Sequence, residues 1–331
     1  FIILLRLFII LFWGLLKDTG GKVKKIFTKY LLFTGKILVL TFFVYYVINN
    51  IEYSEFIRYF KNVNIKYFVI ALLFFLTALF FNVYKWRYIV LKNAKASNYE
   101  IISSIFGGYT FSLITPGRLG EMGRFLFIRD IDYREVISFT VVDKSFNITI
   151  NSLLGLIVFI LFPINYPIYV KLLLITITLI FFFLLNVYIF APRYLYSILI
   201  KLKFLRKGKT KNYLKILKKS DKKSNFQIFI LSLLTYIFFL FEFIFLSMSL
   251  KLDTFFIALK GFMVSLFLKT MIPISIAEWG VKEISLMEYY KIEGVSSEIA
   301  LGTAFILYIL NIILPSLVGL FFILKKGGND G

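Results

Sequence analysis

Phe, Ile and Leu crowd into runs of about 15 to 25 residues divided by short polar links, and this alternation constrains the fold more than any other feature of the chain. About 20 apolar residues at about 1.5 Å rise cross a roughly 30 Å hydrocarbon layer. Inside that layer a backbone must satisfy its own hydrogen bonds, which a helix does. The hydrophobic content of 60% exceeds that of any soluble core, so the fold class is an all-α polytopic integral membrane protein. The net charge of +21 sits in the links, where orientation in a membrane explains it and nucleic acid is not needed as a partner.

Full crossings are expected at 31–48, 66–84, 139–162, 168–190, 226–250 and 299–324, with residues 1–30 forming a short apolar segment and a basic link. Position 1 is Phe rather than Met, so the chain is expected to be processed, trimmed or a piece of something longer, which leaves room for an upstream domain. Two further apolar stretches, 101–115 and 255–272, stop at breaks rich in Pro, Gly and charge: Thr115-Pro116-Gly117-Arg118-Leu119-Gly120-Glu121 and Pro273-Ile274-Ser275-Ile276-Ala277-Glu278-Trp279-Gly280-Val281-Lys282-Glu283.

Lys and Arg in short links mark the cytoplasmic face. Lys17 to Lys29 precede the first crossing, the second returns to Lys85, Arg87 and Lys92, and the loop 192–225 carries twelve basic residues against Asp221. If 101–115 crossed fully, Arg118, Arg124, Arg129 and Arg134 would lie outside; if 255–272 did, so would Lys325 and Lys326. Both stretches are therefore expected to be re-entrant hairpins, the first entering from the cytoplasm and the second, with its Glu-rich link 273–298, from outside. This gives a single transmembrane domain over 31–325, with a tail at 326–331. Its inverted-topology halves are 66–162 and 226–324, joined by helix 168–190 and loop 192–225, an arrangement used by secondary transporters.

At the breaks, Pro116 disfavours helix at Thr115 and can open a new one, leaving N–H groups that attract anions. Ser275 with Glu278 fits a capping box that would start the returning half-helix. Arg118 either binds a phosphate or pairs with Glu121; Glu121 and Glu283 either compensate Arg118, Arg124 and Lys282 or carry a coupling proton. Within the crossings, Asp143, Asn147 and Asn151 recur every four residues and form one inward stripe. Glu242 lies alone among Phe and Leu and demands a partner or a water-filled cavity.

The chain has no His and no Cys, which removes Ser-His-Asp triads, thiolate nucleophiles, disulfides and His/Cys metal sites. No cofactor and no metal are expected, and an enzymatic role is not the favoured one.

Thr115-Pro-Gly-Arg-Leu-Gly-Glu with Arg124, and Pro273-Ile-Ser-Ile with Gly280-Val-Lys-Glu283, resemble the transmembrane region of lysylphosphatidylglycerol synthases and the wider flippase-like membrane family, over roughly 30–325. The chain departs from that pattern at Ala277-Glu278, where the family usually has a Gly pair. The resemblance implies a domain that moves or presents a lipid with a charged or glycosylated head group, and some members are joined to a soluble transferase domain. The expected function is a lipid translocase of the cytoplasmic membrane. It would hold an anionic phospholipid or polyprenyl phosphate at Thr115, Pro116, Gly117, Arg118, Glu121, Arg124, Ser275, Gly280, Lys282 and Glu283. The alternative is the membrane part of a lipid-dependent glycosyltransferase or aminoacyl-lipid synthase system, for which Glu52 or Glu55 would supply a base. A third possibility is an anchor for a partner docking on loop 192–225.

Overall fold

The computed structural model describes residues 41–161 apart from 42 and 130, scattered residues between 168 and 197, and residues 221–327 apart from 272–274 and 277–278. The expected crossing at 168–190, most of the first crossing and of loop 192–225, residues 1–30 and Glu278 lie outside the described residues. The described chain is helical apart from turns and one two-residue strand pair.

After α1 (Tyr53–Lys61), two length-matched series follow. The first is α2 (Ile65–Asn93, 29 residues), α3 (Asn98–Ile114, 17), a 3₁₀ helix (Pro116–Phe127, 12) and α4 (Tyr133–Leu161, 29). The second is α5 (Lys222–Ser249, 28), α6 (Phe255–Met271, 17) and α7 (Val281–Ile292, 12). It closes with α8 (Ser297–Tyr308), a π-helical turn (Ile309–Ile313) and α9 (Leu314–Gly327), which run on as one helix whose span Ser297–Lys326 counts 30 residues. Helices α2, α5 and Ser297–Lys326 are long and apolar enough to cross a membrane. Helix α2 runs further than the crossing expected at 66–84, to Asn93, so Lys85 and Arg87 belong to a helix and not to a link. The Asn64 side chain accepts the Lys66 N–H at its start, and no helix breaker interrupts it before the extended Ala94.

The first hairpin follows from its residues. Ser97 and Glu100 form a reciprocal capping box that opens α3. Thr115, held extended ahead of Pro116, closes it, and Pro116 opens the next helix as its first residue. The returning segment repeats every three residues, Gly117-Arg118-Leu119, Gly120-Glu121-Met122, Gly123-Arg124-Phe125. In a 3₁₀ helix residues three apart eclipse one another, so the glycines share one face and Arg118, Glu121 and Arg124 another. The glycine face packs on α3: a Cβ on Gly120 would stand 2.1 Å from the Phe111 carbonyl oxygen, and one on Gly123 2.7 Å from the Phe111 ring. Thr115 Oγ1 accepts the Gly120 N–H at 2.6 Å and donates to the Phe111 carbonyl at 2.9 Å, which fastens the turn.

The second hairpin is built differently. Ser275–Ile276 (β1) pairs antiparallel with Trp279–Gly280 (β2), and α7 then packs back on α6, with Gly261 facing Tyr290 and Leu286. The returning helix therefore starts at Val281 and not at Ser275. Its first turn is capped by Glu283, whose Oε2 accepts the Gly280 N–H at 2.9 Å. Gly280 has φ of 129°, a conformation that only glycine adopts readily.

The two series interlock. Gly155 on α4 lies under the Phe267 ring of α6, Gly319 on α9 faces the Phe106 carbonyl of α3, and β1 lies against the 3₁₀ helix. Phe74 of α2 stacks on Phe241 and Phe245 of α5. Polar contacts gather at two ends. At the start of α2, the Asn64 N–H donates to the Ser249 carbonyl, the Glu52 N–H to Glu298, and Lys291 Nζ to Asn50 Oδ1. At its other end, Lys92 pairs with Asp221 and Lys326 donates to the Leu126 carbonyl.

Candidate functional site

The charged face of the 3₁₀ helix meets polar side chains of α2 and α4. Asp143 receives Lys85 Nζ at 2.7 Å and Arg124 at 3.1 Å, all three side chains being buried. Glu121 receives Arg124 at 2.6 Å, Arg118 Nε at 2.7 Å and Lys144. Lys85 also donates to Asn147 Oδ1 at 2.6 Å. Arg124 lies over the Trp86 ring, with Cζ 4.3 Å from its centroid, and the Trp86 Nε1–H donates to Ser104. Arg118 lies over Tyr109 at 5.0 Å, and the Tyr109 hydroxyl accepts from Asn82 Nδ2 at 2.8 Å.

Charge is unevenly distributed in this network. Among the described residues, Lys85, Arg124 and Lys144 share only Glu121 and Asp143, with Arg118 joining at Glu121. Burying an ion is costly unless it is paired, and Lys85, Arg124 and Lys144 all rest on these two carboxylates. Lys85 and Arg124 are enclosed, with side chains 0% and 1% exposed. Arg118 and Lys144 reach outward, with side chains 24% and 19% exposed. Arg118 holds its position with φ of 55°, a left-handed conformation that costs a non-glycine residue roughly 1–2 kcal/mol. Such strain persists where surrounding packing enforces it, and it clusters at functional sites.

The network joins Arg118, Glu121, Arg124, Asp143 and Asn147, and Thr115 fastens the turn that leads into it. Pro116 and Gly117 form the first residues of the 3₁₀ helix. Asn151, one turn further along α4, has a buried Oδ1 with no hydrogen-bond donor. Lys85 and Lys144 escaped the sequence reasoning. Lys85 was assigned to a link, and Lys144 neighbours Asp143 off the i, i+4 stripe. The signal for both was present, since each falls inside an apolar helix. So was the three-residue period of glycine and charge over 117–125.

The second tip carries a smaller set. Lys282, buried at the start of α7, lies 3.2 Å from Glu283, which is occupied in capping Gly280; Ser275 lies in β1. Glu242 of α5 is fully buried, and its Oε1 accepts from Asn311 Nδ2 at 2.6 Å. Its Oε2 is buried without a donor. Asn311 sits in the π-helical turn, an irregularity common at functional sites. The sequence reasoning missed Asn311, although it is the one Asn in the last apolar run.

Glu52 and Glu55 do not meet this network: Glu52 accepts from Ser54, and Glu55 pairs with Arg58 in α1. Among the described residues no three His, Cys, Asp or Glu side chains could hold a metal ion.

A family model described as the lysylphosphatidylglycerol synthase TM region matches residues 33–319. No curated protein and no solved structure match the chain.

Proposed function

Because this chain belongs to the lysylphosphatidylglycerol synthase transmembrane-region family, membrane proteins tied to lipid modification or transport, we propose that it is a lipid translocase that holds an anionic head group between its two hairpin tips. The observation that carries this reading is the cation-rich network behind the first tip, with the strand pair of the second tip lying against the same 3₁₀ helix. A lipid phosphate would supply negative charge where Arg118 and Lys144 reach outward, with Thr115, Pro116 and Gly117 forming the turn beneath it. Lys282, with Ser275, Gly280 and Glu283 around it, would face the head group from the other side. Lys85, Arg124 and Asp143 would act as support, fixing the direction of the exposed cations. The acyl or isoprenoid tail would stay in lipid.

The matched lengths of the two series support an inverted-topology repeat over 66–162 and 226–324, with six full crossings and two re-entrant hairpins. The grouping of Lys92, Asp221, Leu126 and Lys326 at one end, and of Glu52, Ser249 and Glu298 at the other, supports a cytoplasmic face on the basic side. Broken helices meeting between such halves form the substrate site of many secondary transporters, and rocking of the halves would expose it alternately to each face. In an aminoacyl-lipid synthase system the same site would present a lipid to a soluble transferase domain.

Transport by purified protein in vesicles, followed through a fluorescent anionic lipid and an external quencher, tests the function. The protein should equalise quencher access between leaflets, and Arg118→Ala/Lys282→Ala should abolish the effect. Equal rates with and without protein, or an unimpaired double variant, would reject the proposal.

A further inference from the structure

A cavity of about 400 Å³ opens where α3 begins, away from the hairpin tips, and is lined by Tyr99, Glu100, Ser103, Phe127, Arg129 and Lys326 among others. That volume lies in the range of small-ligand sites. Its charge is positive among the described residues: Arg129 and Lys326 line it, and Lys325 lies beside it over the Tyr99 ring, 5.6 Å from the centroid. Glu100 is the opposing acid, and its oxygens are already engaged. Oε2 accepts from the Ser97 N–H and hydroxyl at 2.8 Å, and Oε1 from the Arg129 N–H at 3.0 Å. The Arg129 backbone is thus tied down while its side chain is left exposed. Lys326 lies over the Phe127 ring at 5.6 Å. Two exposed apolar side chains adjoin this cationic floor: Leu126, whose carbonyl accepts from Lys326, and Phe321, next to the lining Phe322.

We infer that this cavity binds the phosphate head group of an anionic phospholipid from the surrounding leaflet, at a second lipid site distinct from the one at the tips. Arg129 and Lys326 hold the phosphate, the guanidinium offering paired donors and the ammonium a point charge. Tyr99 and Phe127 wall the head group, and the acyl chains lie along Leu126 and Phe321. A soluble phosphate ester would use the cations but would gain nothing from the apolar flank.

Native mass spectrometry and thermal unfolding of the full chain in nanodiscs test this, comparing phosphatidylglycerol with phosphatidylcholine. The protein should retain phosphatidylglycerol and melt higher in its presence, and Arg129→Gln/Lys326→Gln should weaken that retention at least tenfold while leaving the melting temperature in phosphatidylcholine unchanged. Arg129→Lys/Lys326→Arg should preserve retention, and the loss caused by the glutamine pair should persist in an Arg118→Ala background, where the tips no longer contribute. Four results would overturn the inference: retention unaffected by the glutamine pair, retention lost in the charge-preserving pair, equal stabilisation by phosphatidylcholine, or the same stabilisation by soluble glycerol phosphate.

Discussion

Removing the Asp143 carboxylate isolates the cost of the buried network. Asp143→Ala deletes the acceptor 2.7 Å from Lys85 Nζ and 3.1 Å from Arg124, leaving Lys85 only Asn147 and Arg124 only Glu121. Both cations are fully enclosed, so neither can recover its lost partner from water. Breaking a buried pair from one side costs about 3–5 kcal/mol. At about 2.1 cal/mol/K per residue, a chain of 331 residues would lose about 4–7 °C in melting temperature. Replacing both members of one pair by apolar residues of similar size, Lys85→Met/Asp143→Leu, removes one of the two stranded cations and leaves Arg124 on Glu121, and should return about half of the loss. The coupling in the double-mutant cycle should be about 2–4 kcal/mol. Thermal unfolding in one detergent, with the four proteins side by side, gives the numbers. A single variant within about 0.5 kcal/mol of the parent, or a cycle that is additive, would refute the argument that these charges depend on each other.

Gly120→Ala should cost about 1–3 kcal/mol or block folding, because its Cβ would stand 2.1 Å from the Phe111 carbonyl oxygen; expression and melting temperature check this. Arg118→Gly should melt higher than Arg118→Ala, since it relieves the 55° φ, while both lose transport; equal melting would show that the backbone strain is absent. Asn311→Ala should cost about 1–3 kcal/mol by leaving both Glu242 oxygens without a donor, and Glu242→Leu/Asn311→Leu should recover it, again read by unfolding. Lys92 and the Ser224 N–H hold the Asp221 carboxyl below the usual carboxylate range. Its contribution is therefore complete above about pH 4 and fades as pH falls through the lowered value. Melting curves taken downward from about pH 5 should drop less steeply for Asp221→Asn.

The sequence revealed most where hydrocarbon dictates the answer. Apolar runs placed α2, α5 and Ser297–Lys326, and the breaks at 115–121 and 273–283 marked the segments in which the chain reverses, because backbone cannot cross lipid irregularly without showing it in composition. Residue types also marked Arg118, Glu121, Arg124, Asp143 and Glu242, since charge at that depth needs a reason. What escaped was set by packing. Lys85 looked like a link residue because hydropathy fades before α2 ends, and only the approach of α4 turns it into the partner of Asp143. Lys144 faces Glu121 because the 3₁₀ helix, and not an α-helix, brings that carboxylate round. The start of α7 was misplaced because Ser275 and Glu278 have capping spacing, whereas Gly280 with Glu283 holds the turn that forms.

The most direct test of a single site shared by two tips uses the absence of cysteine from the chain. Paired cysteines, one at Ser275 or Ile276 and one along Pro116–Glu121, can be oxidised without background while lipid transport is recorded in vesicles. If the tips close on one head group, a linked pair should form, stop transport, and release it on reduction. If no pair links, or if linked protein transports as fast as reduced protein, the two hairpins do not share a head-group site.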